Sequence, residues 1–227
     1  MIMVLTKLIS GDNRRSSRLH DEKNNFIGWD KFLTHAPMAF STGLLRISLD
    51  YRPELPWISY SAIQILKNFL SPDSRVLEFG SGMSTIWYAK HAGVVYSVED
   101  YKPWYDKVTQ IVEKKKLSNI HYHLATNPTA YQNFMTDDKA GFDLIMVDGS
   151  VRSKCIENSL HLLRPGGILY LDNSDKHSSA EGGDTRLAEK YLLDFANSKR
   201  AEITYFTDFA PTQFFVQQGL MVKIPAE

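Results

Sequence analysis

Apolar residues recur along this chain in short runs, separated by stretches where they repeat at helical spacing. Runs at 75–79, 94–98, 119–124, 142–147 and 168–172 have strand length and end on polar or glycine residues. Helical spacing predicts helices at 84–92, 103–116, 151–163 and 184–198, with a short one near 129–135. Two last strands, near 201–207 and 213–224, follow with no helix between them. Such alternation predicts an α/β fold: a doubly wound, seven-stranded, mostly parallel sheet with helices on both faces and a C-terminal antiparallel strand pair.

Ahead of the first strand, Ile63, Ile65, Leu66, Phe69 and Leu70 lie at helical spacing within 59–70, and Ser71-Pro72-Asp73 ends that helix. Residues 26–56 are aromatic and proline-punctuated, with no clear period. Residues 11–25 are polar and aperiodic and read as a mobile arm or loop. The expected division is an N-terminal arm and cap region, 1–58, before a nucleoside-binding domain, 59–227. The aromatic residues of 26–60, including Trp29, Trp57 and Tyr60, suit an acceptor-pocket cover, a homodimer surface or plain core.

Composition narrows the class. Twenty-six basic residues balance twenty-six acidic ones, so no net field favours nucleic acid or an anionic membrane. Lys114-Lys115-Lys116 reads as a solvated helix end. The single cysteine, Cys155, excludes an internal disulfide framework and a Cys-rich zinc site. The apolar stretch in 1–10 is too short to span a bilayer, and no other segment approaches that length. The expectation is a soluble cytoplasmic protein without nucleic-acid or membrane partners.

The richest stretch is Val76-Leu77-Glu78-Phe79-Gly80-Ser81-Gly82-Met83-Ser84-Thr85. A strand ends in an acid, a glycine turn follows, and a helix opens. The next strand ends in Glu99-Asp100. This is the first half of a nucleoside-binding fold. Thr85 stands where a dinucleotide turn has its third glycine, and there is no Gly-Lys-Ser/Thr, so the turn lacks a pyrophosphate fingerprint.

Glu78-Phe79-Gly80-Ser81-Gly82 resembles the first motif of class I S-adenosylmethionine-dependent methyltransferases. The resemblance extends over about residues 59–224. Tyr96-Ser97-Val98-Glu99 is similar to the family's acidic second motif, Phe142 to Gly149 to its fourth-strand motif, and Leu163 to Leu169 to the turn into the fifth strand. It implies S-adenosyl-L-methionine as cofactor, with Glu78, Gly80, Ser81, Gly82, Ser84, Thr85, Glu99 and Asp148 around it. Gly80 and Gly82 would admit the methionine part, Glu78 would attract its ammonium, and Glu99 would accept the ribose hydroxyls.

The acceptor belongs beyond the strand ends, where Asp148-Gly149-Ser150-Val151-Arg152 meets Asp172-Asn173-Ser174-Asp175-Lys176-His177. Asp148, Asp172 and Asn173 resemble the magnesium ligands of metal-dependent catechol-type O-methyltransferases, and all carry oxygen donors suited to a hard cation. The lysine base of that family is replaced by Val151. Arg152 beside it suits a substrate carboxylate or phosphate. The competing arrangement has Asp148 facing cofactor or acceptor without Mg2+, with Asp172-Asn173 ordering the loop. A base for a hydroxyl acceptor would be Asp148, His177 or Asp175, and His177 also reads as an exposed loop residue. The loop 173–184 reads as a lid or an ordinary surface loop. Asn127-Pro128-Thr129-Ala130-Tyr131 resembles a base-methylating motif but follows the third strand instead of the fourth, which disfavours nucleobase methylation.

The resemblance thus implies methyl transfer, with oxygen of a small molecule or saccharide as the expected acceptor. The alternatives are an NAD(P)-dependent oxidoreductase, weakened by the missing third glycine, and a non-catalytic cofactor-binding scaffold.

Overall fold

The computed structural model describes residues 10–177 and 183–226. Helices α1 (Trp29–Leu49) and α2 (Tyr60–Phe69) precede β1 (Arg75–Phe79), α3 (Met83–His91), β2 (Val94–Glu99), α4 (Lys102–Lys115) and β3 (Ile120–Leu124). Then come α5 (Pro128–Gln132), β4 (Phe142–Val147), α6 (Arg152–Ser159), a 3-10 turn (Leu160–Leu162), β5 (Leu163–Leu171), α7 (Asp184–Lys199), β6 (Glu202–Asp208) and β7 (Gln217–Lys223). The seven strands lie in the order β3-β2-β1-β4-β5-β7-β6. β1 to β5 pair in parallel, and β7 runs antiparallel between β5 and β6. The expected fold class is the observed one. The direction of winding reverses between β1 and β4, which is where open α/β sheets bind their ligands.

The period of two along each strand divides the core into two layers. Val76, Leu144, Met146, Ile168 and Tyr170 face one side with α2, α3 and the N-terminal region. Leu77, Phe79, Ile145, Val147, Leu169 and Leu171 face the other with α6 and α7. β5 starts earlier than expected. Leu163 already pairs with Phe142, a bulge follows, and Leu144 pairs with Ile168. The Pro165-Gly166-Gly167 signal marks that irregularity inside a strand.

Two features of the N-terminal region depart from the sequence pattern. Residues 29–49 form one helix despite Pro37, which removes one backbone donor from it. His35 and Ser59 and Ser61 all converge on Asp208 at the end of β6, with His35 Nδ1 at 2.9 Å from Oδ1 and Ser61 Oγ donating to Oδ2 at 2.8 Å. The polar stretch 11–25 does not stand off the domain as an arm. Arg15, Leu19, Asp21 and Glu22 are buried.

Polar partners make that burial tolerable. Asp21 Oδ2 accepts from Thr207 Oγ1 at 2.8 Å and Gln218 Nε2 at 3.1 Å. Asp175, fully buried, accepts the Glu22 N–H at 3.0 Å and the Gln218 N–H at 3.1 Å. The Glu22 side chain takes the Arg15 guanidinium at 3.0 Å and the His177 N–H at 3.1 Å. The N-terminal segment is therefore bolted to the loop after β5. The apolar start of the chain and the middle of the 173–184 loop, 178–182, lie outside the described residues, so the lid reading is not described.

Asp175→Ala would leave two buried N–H groups without acceptors. It should cost about 2–3 kcal/mol in urea unfolding, and trypsin should then cut the native protein at Arg14, Arg15 or Arg18. Unchanged stability and unchanged protection would refute the bolt.

Candidate functional site

The turn after β1 is built around Glu78. Its side chain points to the α3 face of the sheet and is 1% exposed. Three hydroxyls donate to it: Ser84 Oγ to Oε1 at 2.5 Å, Thr85 Oγ1 to Oε2 at 2.6 Å and Ser97 Oγ to Oε2 at 2.6 Å. Thr85 Oγ1 in turn accepts the Gly82 N–H at 3.0 Å. Helix α3 thus begins with its first turn tied to the strand before it. Burial pushes the Glu78 carboxyl up to about 7, against the pull of the three hydroxyls.

The two glycines do different work. At Gly80, φ is +96° and a Cβ would come 2.7 Å from the Gly149 nitrogen, so the ends of β1 and β4 meet backbone to backbone. At Gly82 a Cβ would meet only Ser84 Oγ at 3.7 Å and Trp104 at 3.8 Å. The chain itself leaves that face of Gly82 open, which suits a ligand lying against the backbone.

Glu99, at the tip of β2, faces the same turn. Its Oε2 accepts the Ser81 N–H at 3.1 Å and the Ser81 hydroxyl at 2.9 Å, and its Oε1 accepts the Tyr101 N–H at 2.9 Å. Trp104 Nε1 donates to the Ser81 carbonyl at 2.8 Å. Tyr122 shares the Ser81 hydroxyl at 2.5 Å and stacks on Tyr105 at 4.3 Å between ring centres. Ser81, Ser84 and Thr85 therefore commit their side chains to the two acids. The sequence pattern missed Ser97, Trp104 and Tyr122. The one available signal was Ser97, a lone hydroxyl inside an apolar strand.

At the neighbouring strand ends Asp148 is partly exposed and Asp172 is buried. The two carboxyls are hydrogen-bonded to each other. Burial raises both, and the adjacent charge raises Asp172 further. Arg152 contacts Asp148 Oδ1 at 3.3 Å. Burial and the neighbouring charge thus push Asp172 up further than Asp148, which has the Arg152 guanidinium beside it.

Arg152 differs from its expected role. It is 8% exposed, and its guanidinium donates to the Asp172 carbonyl at 2.6 Å and the Gly149 carbonyl at 3.0 Å. It ties β4 to β5 and is not displayed to a substrate. The α6 N-terminus just before it is capped from a distance. Val151 holds an αL conformation, φ 41°, and cannot cap. Asp184 accepts the Arg152 N–H at 2.7 Å and the Ser153 N–H at 3.1 Å. A β-branched residue in that conformation is strained, and this one sits three residues after Asp148.

The magnesium reading is corrected by the donor set. Asn173 Oδ1 accepts the Lys176 ammonium, and Asp148 faces Arg152. Two protein cations thus already occupy oxygens that a divalent ion would need, which disfavours the magnesium reading. Among the described residues no group of three His, Cys, Asp or Glu side chains is placed to hold a metal. Asp175 is a structural bolt and not a free base. His177 is exposed, in an αL conformation, at the edge of the described loop. Asn127 caps α5, accepting the Ala130 N–H at 2.8 Å. Cys155 is buried.

Because the folded-state Glu78 carboxyl titrates near 7 instead of its ordinary 4.5, its contribution to stability is complete below about pH 4.5 and fades as pH rises through 7. The stability gap between wild type and Glu78→Gln should shrink by about 2–3 kcal/mol from pH 5 to pH 8. Urea denaturation at the two pH values measures it, and a constant gap would refute the assignment.

A methyltransferase-domain family model matches residues 77–174. No curated protein matches the chain in sequence. Among solved structures, an O-methyltransferase from Bacillus cereus in complex with SAH is similar at 17% identity and TM-score 0.62, over 83% of this chain and 98% of that one. The O-methyltransferase TomG from Streptomyces achromogenes, involved in tomaymycin synthesis and solved with SAM, aligns at 17% identity and TM-score 0.59, over 84% and 90%. An rRNA methylase from Streptococcus thermophilus aligns at 14% identity and TM-score 0.56, over 78% and 99%. These likenesses establish the fold. No helix among the described residues is long and apolar enough to cross a membrane. The family match covers the segment that builds the Glu78 turn, the Glu99 strand tip and both strand-end aspartates, and the solved structures share the fold around it.

Proposed function

We propose that this chain is a class I, Rossmann-like S-adenosylmethionine-dependent methyltransferase that moves a methyl group to an oxygen of a small molecule or saccharide, without a metal ion. The observation that carries this reading is the Asp148–Asp172 pair, which sets a carboxylate at the strand end beside the open face of the glycine turn. S-adenosylmethionine supplies a sulfonium methyl open to in-line displacement. The residues present fit that cofactor: Gly82 leaves its backbone uncovered, and Glu99 lies where ribose hydroxyls could replace the Ser81 hydroxyl as its donors.

Gly80, Ser81, Gly82, Ser84 and Thr85 would hold the cofactor mainly through backbone, because the three side chains serve Glu78 and Glu99. Glu78 would bias the site toward a cation through its charge. Asp148 would take the hydroxyl proton as the acceptor oxygen attacks, and the hydrogen bond from Asp172 would keep it oriented. His177 is the second candidate base, but the described contacts link only its backbone to Glu22. The exposed stripe Trp29, Leu33, Leu44 and Ile47 on α1 is the surface a homodimer would use, and the 1–58 region would serve as the cap over the acceptor side. Some structural relatives are rRNA methylases. The balanced charge argues for a small acceptor here.

Calorimetric titration should show binding of S-adenosylmethionine and its demethylated product and none of NAD. Binding of NAD alone would overturn the reading. Asp148→Asn should lower methyl transfer about 100-fold or more while cofactor affinity changes little. The wild-type rate should rise with pH on an acidic limb above the ordinary carboxylate range, because Asp148 must be ionised. Excess EDTA should leave turnover unchanged, and a loss reversed by magnesium would restore the metal mechanism.

A further inference from the structure

With Arg152 consumed inside the fold, two other arginines stand at the rim of the same cleft. Arg46 comes from α1 and Arg52 from the segment that follows it. Both lie over the ring of Trp57, with guanidinium carbons 4.9 and 5.5 Å from the ring centre. Arg52 also lies 5.3 Å from the ring of Trp104, the residue that holds the Ser81 carbonyl. On the opposite flank, Gln217 Nε2 donates to the Trp57 carbonyl at 3.2 Å and lies 3.5 Å from Asp172 Oδ1. Trp57, with the two arginines on its ring, therefore lies between Trp104 on the glycine turn and the Gln217 contact to Asp172.

This rim is rich in donors and poor in acceptors. Arg46 meets no carboxylate among the described residues; its one polar contact is 3.4 Å to Thr212 Oγ1. Arg52 reaches Asp50 Oδ1 at 2.9 Å through Nη2, and that aspartate is largely exposed and shared with Lys107. Arg52 Nε and Trp57 Nε1 are both buried donors with no acceptor among the described residues. Native folds rarely leave such donors unmet, and a bound anion is one of the few ways to satisfy them together with two cations. Arg52 also lines a neighbouring cavity of about 510 Å³ together with Asp50, Glu54, Met83 and Lys107, a space that Arg46 and Trp57 do not border.

We infer that Arg46, Arg52 and the Trp57 indole N–H form the specificity site for an acceptor bearing an oxyanion group, a carboxylate or a phosphate. Guanidinium forks match the paired oxygens of either group. The inference deepens the methyl-transfer reading and rests on it: the anion would be gripped at the rim, which would aim a hydroxyl elsewhere on the same molecule at Asp148.

The test is tryptophan-fluorescence titration with 4-hydroxybenzoate, phenyl phosphate and the neutral 4-hydroxybenzamide, with and without S-adenosylhomocysteine. At least one anionic probe should bind ten or more times more tightly than the amide, and comparison of the two identifies carboxylate or phosphate. Arg46→Gln/Arg52→Gln should abolish that preference, and Arg46→Lys/Arg52→Lys should keep part of it by charge alone. S-adenosylhomocysteine affinity within about threefold of wild type reports an intact fold; should the double variant lose it, Arg46→Gln alone, which leaves the Arg52–Trp104 contact in place, carries the test. Equal binding of anionic and neutral probes, no binding of any, or a preference that survives the glutamines would overturn the proposal. Failure of S-adenosylhomocysteine to bind wild type would strike the methyl-transfer reading instead, since the anion preference is read without it as well.

Discussion

The site depends on one buried carboxylate. Glu78 sits in the central strand of the sheet, out of water, and collects hydroxyls from the turn, from the first turn of α3 and from β2. A carboxylate in such a place is costly unless its oxygens are occupied by donors. The same donors fix where α3 starts and hold Gly82 with its open face outward. The turn is therefore shaped from beneath, by a group that a ligand need not touch. Its upper side is held by a second acid, Glu99, through Ser81.

The acceptor side is organised by opposite means. There the strand ends are joined by a cation, Arg152, which draws the Gly149 and Asp172 carbonyls together and leans on Asp148. Asp172 can stay buried beside the partly exposed Asp148 because one guanidinium is near both. Lys176 on Asn173 completes a neutralised cluster. Two cations of the chain itself, Arg152 and Lys176, thus lie against the oxygen-bearing residues at these strand ends.

Much of the fold was legible because the physical rules behind it are local. Short apolar runs ending in glycine or acid mark parallel strands, and β1 and β4 lie where their residues predict. The errors have equally physical causes. Pro165-Gly166-Gly167 reads as a turn before a strand, yet pairing with β4 continues around it as a bulge. The proline-punctuated stretch 26–56 shows no clear period, yet one backbone bond lost at Pro37 does not end a helix whose Ala36, Ala39 and Gly43 are buried. The polar stretch 11–25 carries no apolar period, because its buried residues are charged and are matched by Asp175, Thr207 and Gln218 from far along the chain.

By itself the sequence determined the α/β layering, the order of strands and turns, and the kind of ligand the first turn could admit, since each follows from periodicity and glycine placement within some thirty residues. Which charges are spent inside the fold and which face the cleft was decided by tertiary structure alone. Arg152 and Arg52 look equally free in the sequence. One is buried between two strand ends by the carbonyls of Gly149 and Asp172, and the other is laid across two indole rings from separate elements. Whether a charge is consumed depends on partners distant in sequence, and only the folded chain brings them together.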